Sequence, residues 1–194
     1  MLPDDDPGWP LSWRMVLALL VPGLLGHAVR RRALGGKGDG LVLMRQAFLT
    51  FCASLVMFGV VLALIYTAPG TNETTAPGLA IGLLVAGAAA CFLGPLIERP
   101  LVCTDNRALA MSYRTRFFLR VAFSEAPALF GFVAFFITYE WWSYPVGVAI
   151  AAFGFRRAAP TAAHLAQDQQ VLNGQGCGRS LVRAVRGTAP PEAA

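Results

Sequence analysis

Residues 117–139, FFLRVAFSEAPALFGFVAFFITY, constrain the fold more than any other stretch of the chain. The run is long and apolar enough to cross a bilayer as a helix. A hydrocarbon core of about 30 Å takes about 20 residues at about 1.5 Å each. One acid, Glu125, lies well inside the run. A carboxylate at the centre of a membrane helix costs roughly 2.5–3.5 kcal/mol on insertion scales, so it calls for a local polar partner or a function.

Other apolar blocks occupy 41–67, 78–97 and 144–155. Hydrophobic residues make up 56% of the 194 and charged residues 14%, against about 25% charged in a soluble domain. The pattern predicts an all-α integral membrane helix bundle over 41–158, with four transmembrane helices at 41–67, 78–97, 117–139 and 144–155. An amino-terminal region, 1–40, precedes it and a tail, 159–194, follows it. The amino-terminal region opens on Asp4, Asp5 and Asp6 and ends in a basic connector, 30–40. Between them, 13–29 is apolar but short and interrupted by Pro22. It either crosses as a fifth span or forms an amphipathic or re-entrant helix at the interface. Arg30, Arg31 and Arg32 follow it where a secretory signal would carry a cleavage site, so no secretory signal is expected.

Charge sets an expected orientation. The net charge is +5, and Lys37 is the only lysine. The connectors 30–40 and 98–116 and the tail after 155 are Arg-rich, whereas 68–77 and 140–143 carry no Lys or Arg. The positive-inside rule then places the carboxyl terminus in the cytoplasm of a multi-pass plasma (inner) membrane protein. The Arg and Ala bias points to a GC-rich bacterial genome. Because the basic residues flank apolar spans, the expected partners are the lipid bilayer and its anionic headgroups rather than nucleic acid. The tail reads as two helical stretches, 161–172 and 180–186, the second capped by Ser180. Arg179, Arg183 and Arg186 lie opposite Leu181, Val182 and Val185, a pattern that suits either an anionic membrane surface or a solvated helix end.

Small residues recur at every fourth position in 78–97: Gly78, Gly82, Ala86, Ala90 and Gly94. On a helix they form one shallow stripe, expected to pack closely against another helix. That helix belongs to this bundle, to a membrane partner or to a second copy. Glu125 sits about eight residues into its span, roughly 12 Å deep at about 1.5 Å per residue. Arg120 and Arg45 are the expected charge partners, and Ser124 is a neighbouring hydroxyl. If unpaired, Glu125 with Ser124 forms a candidate ion-binding site, since a protonated carboxyl is tolerated in lipid and one that exchanges its proton is a relay element.

The run Phe117-Phe118, Glu125-Ala126, Gly131 and Val133 resembles the outer helix of the rotor-ring c subunit of ATP synthases, the proteolipid. In that family a helix rich in small residues precedes the carboxylate helix through a cytoplasmic loop. The resemblance covers 78–139, about a third of the chain. It implies that Glu125 carries a proton or sodium ion and that Ala86 and Ala90 face it. The chain departs from the family in three ways. Its small residues recur by fours, its loop is longer with only Arg99-Pro100 at the turn, and it adds further helices.

Cys52, Cys91, Cys103 and Cys177 form no CxxC and no cluster with His27 or His164, so the spacing supports neither a zinc site nor a disulfide framework. The glycines between Gly174 and Ser180 lack the lysine and the preceding strand of a phosphate loop. With no nucleophile–base set visible, no catalytic residue, metal or cofactor is expected. The expected function is a non-enzymatic structural or accessory bundle. The alternative is a proton- or cation-handling protein with Glu125 as carrier.

Overall fold

The computed structural model describes residue 9 and residues 39–66, 76–98 and 100–187. The stretch at 13–29 lies outside the described residues. All described elements are helical: α1 Gly40–Tyr66, α2 Pro77–Leu93 continuing as a 3-10 turn Gly94–Ile97, α3 Asn106–Thr138, α4 Ser143–Ala158, α5 Ala162–Gly174 and α6 Leu181–Arg186. Helices α1 and α3, of 27 and 33 residues, are long and apolar enough to cross a membrane. Only 17% of the most apolar window of α1 is buried, unlike the core helix of a soluble protein.

The chain forms two compact units, and α1 and α3 contribute to both. The apolar unit comprises 51–98 and 118–158. Its helices alternate in direction around α3. Ring pairs Phe58–Phe132 and Tyr66–Phe135, with centroids 5.1 and 6.3 Å apart, show that α1 runs parallel to α3. Helices α2 and α4 run antiparallel to it: Gly87 meets Pro127 and Gly94 meets Phe123, while Gly131 meets Ser143 and Gly154 meets Ser124. Pro127 lies inside α3 and removes one helical hydrogen bond. Glycines let α2 and α4 close on it. A Cβ on Gly87 would stand 2.8 Å from Pro127 Cα, and one on Gly147 would clash with the Pro127 carbonyl.

The polar unit comprises residues up to Thr50, 99–117 and those from Ala159 on. Asp39 caps α1 by accepting from Leu41 N at 3.0 Å, and its other oxygen accepts from Arg186 at 2.7 Å. Asp105 caps α3 by accepting from Ala108 N at 2.6 Å. Thr161 and Ser180 cap α5 and α6 through their hydroxyls. The Gln169 amide accepts from Leu181 N at 2.7 Å and donates to the Arg179 carbonyl at 3.0 Å, which fixes the α5–α6 turn.

Four sequence expectations are corrected. First, α3 begins at Asn106 rather than 117, because Asp105 caps a polar first stretch that the apolar pattern does not mark. Second, within its own unit α2 packs through Ala80, Leu84, Gly87 and Cys91, with Gly94 beyond it, so the stripe is not the face used inside the bundle and is left to a membrane partner or a second copy. Gly78, Gly82 and Ala86 are exposed, and Ala90 is half-buried. The buried set steps by four, three and four, which follows the 3.6-residue helical turn; a strict step of four drifts around the helix. Third, the apolar face of α6, Leu181, Val182 and Val185, is buried inside its own unit and is not free to enter a membrane surface. Fourth, Cys103 and Cys177 form a disulfide, with Cα atoms 6.1 Å apart across 74 residues of sequence. Their approach depends on the fold of α5 and α6, which spacing in the sequence does not encode.

Candidate functional site

Glu125 lies on α3 in the apolar unit and is half-buried. Its carboxyl Oε1 is 3.4 Å from Ser54 Oγ on α1. The same hydroxyl donates to its own helix, to the Phe51 carbonyl, at 2.7 Å. A serine hydroxyl has one proton and two lone pairs. Its one proton is shared between the Phe51 carbonyl and the Glu125 carboxyl, which accepts from it at the longer distance. Cys52 and Tyr144 lie within electrostatic reach of the same carboxyl. The Tyr144 hydroxyl donates to the Leu55 carbonyl, so α4 and α1 meet at the residue after Ser54. Beyond this contact a cavity of about 270 Å³ opens among Gly59, Leu62, Tyr66, Phe135, Trp141 and Tyr144.

Neither arginine expected to neutralise Glu125 does so. Arg120 grips Glu98 through two bonds, Nε to Oε1 at 2.7 Å and Nη2 to Oε2 at 2.9 Å. Arg45 belongs to the polar unit and is fully buried there. Its Nε donates to the Pro160 carbonyl at 3.1 Å, and its guanidinium lies 5.3 Å from the Trp9 ring centroid. Ser124 is buried and donates to the Arg120 carbonyl at 2.7 Å, on the side of α3 that faces Gly154 and not toward Ser54. Of the proposed packing stripe only Gly94 is buried, against Phe123. Ala86 is exposed, and the hydroxyl at Glu125 comes from α1 instead.

Sequence reasoning missed Ser54, Glu98 and Gly87. Ser54 carried a signal, being the polar residue nearest the middle of the block 41–67. Glu98 carried one too, as an acid in a connector otherwise read for its arginines.

No family model matches the chain, and no curated protein or solved structure matches it.

Proposed function

We propose that the chain is a multi-pass protein of a bacterial plasma membrane, with its apolar unit in the bilayer and its carboxyl-terminal helices in the cytoplasm. One observation carries this reading. Among the described residues, every exposed large apolar side chain except Leu43, Val102, Met111 and Val171 belongs to the apolar unit. A soluble protein rarely exposes so continuous an apolar surface. Helices α1 to α4 supply the crossings, and the 21 residues of α3 inside the unit, 118–138, span about 31 Å at about 1.5 Å per residue. The bundle is a structural or accessory element without enzymatic activity. It contacts lipid, anionic headgroups, and a membrane partner or a second copy. Alkaline extraction of membranes tests the assignment: the chain should stay in the pellet, and release into the wash would end this reading.

A second reading has its own observation. Among the described residues the Glu125 carboxyl accepts from one hydroxyl and meets no cation. This supports a proton- or cation-handling role with Glu125 as the carrier, as the proteolipid resemblance implies. A hydrophobic carbodiimide should then modify Glu125 selectively and less at high pH. No labelling, together with full function of Glu125→Gln, would remove the carrier role and leave the bundle.

A further inference from the structure

We propose that Cys103–Cys177 is a site of reversible thiol–disulfide exchange with a dithiol of the cytoplasm. The inference rests on the proposed orientation, which sets these two residues on the Arg-rich, cytoplasmic side. Thiols there are kept reduced, and the disulfides that do form are transient, catalytic or redox-sensing. A bond formed within that face is therefore one that the cell can open.

The local structure gives the bond something to control. Cys103 lies in the segment before α3, and Cys177 in the turn between α5 and α6. Beside the bridge, Arg179 donates to the Thr104 carbonyl at 3.1 Å. The element beyond it, α6, has six residues, too few to be helical without its packing. Its anchors are the buried Leu181, Val182 and Val185, the Gln169 bracket and the Arg186–Asp39 pair. Opening the bridge removes the covalent anchor at the start of this segment and leaves the weaker ones.

The two sulfurs are not equivalent. Cys103 is half-buried, whereas Cys177 is 6% exposed. An incoming thiolate attacks the Cys103 sulfur and forms a mixed disulfide there. The Cys177 sulfur leaves with the bonding pair and takes up a proton. The second thiol of the reductant then attacks its own sulfur in the mixed disulfide and releases the Cys103 thiol. In sum, the protein disulfide gains two electrons and two protons, and the dithiol becomes a disulfide. An oxidised dithiol partner runs the sequence backward.

The test uses the full chain in growing cells. Cells are quenched in acid, and free thiols are alkylated before and after reduction with distinguishable reagents. The oxidised fraction is then read on the peptides holding Cys103 and Cys177. The expected result is a partial oxidised fraction that moves the same way at both cysteines, up with diamide and down with a permeant dithiol. In purified protein, reduction should speed tryptic cleavage after Arg179, Arg183 and Arg186 several-fold. A bond that stays fully formed under every condition, or never forms, overturns the proposal while the orientation stands. An impermeant phosphine followed by an impermeant maleimide should leave both cysteines unlabelled in intact cells. Labelling there would show that the orientation has failed, and the proposal would fall with it.

Discussion

Ser54 on α1 stands 3.4 Å from Glu125 on α3, and among the described residues its hydroxyl is the one hydrogen-bonding group at that carboxyl. The contact is long and shares its donor with the Phe51 carbonyl, so it adds little to stability. Ser54→Ala should cost less than about 1 kcal/mol. Glu125→Gln keeps the shape and loses the ionisable group, so it should assemble with a melting temperature in detergent close to that of the parent. A large drop for Glu125→Gln would mean that the charged form holds the bundle together, against the single long contact at that carboxyl.

Pro127 gives a sharper stability test. It is clasped by Gly87 from α2 and Gly147 from α4, and neither site has room for a Cβ. Gly87→Val and Gly147→Val should each cost roughly 1–3 kcal/mol through overpacking. Gly82, which has open space around it, is the control, and Gly82→Val should leave thermal stability unchanged. Equal losses at Gly82 and Gly87 would restore the stripe read from the sequence.

That contrast marks what was legible in the chain. The apolar runs located all four helices of the apolar unit, because burial in helices leaves a length and composition signal that needs no partner. The face each helix buries was not legible. On α2 nearly every residue is apolar or small, so periodicity did not separate Gly87 from Ala86, and only the position of Pro127 decides between them. The same holds for charge. Arg120 was visible as a cation near Glu125, yet the 3-10 turn after α2 brings Glu98 to it with better, two-point geometry. Arg45 was read as a charge partner of Glu125, but the backbone after α4 supplies an acceptor, the Pro160 carbonyl, that its own helix could not reveal.

The Arg120–Glu98 pair is worth measuring as a cycle. Glu98 is the more buried partner, with 8% of its side chain exposed against 23% for Arg120. Removing Arg120 takes a two-point cation from the more buried partner, so Arg120→Gln should cost more than Glu98→Gln. Two charge-assisted bonds with partial burial suggest roughly 1–3 kcal/mol for the first change. The double variant should cost less than the sum of the singles, with thermal melts of all four proteins giving the coupling. Strict additivity would show that the two groups do not meet.

The disulfide sets the last expectation. A bridge closing a loop of this length in a soluble chain contributes roughly 2–4 kcal/mol by restricting the unfolded state. Here about half of the intervening residues lie in α4 and in the part of α3 within the apolar unit, which the proposed membrane assignment keeps helical and embedded when the polar unit unfolds. The unfolded state is then already restricted, and the gain falls to the lower end, about 2 kcal/mol. Cys103→Ser and Cys177→Ser should therefore lower the stability of the oxidised protein modestly and by equal amounts. Under strong reductant each should match the parent, since both then lack the same bond. A loss that persists under reductant would assign the effect to packing of the buried Cys177 side chain rather than to the bridge, and Cys103→Ser, at the less buried position, would separate the two.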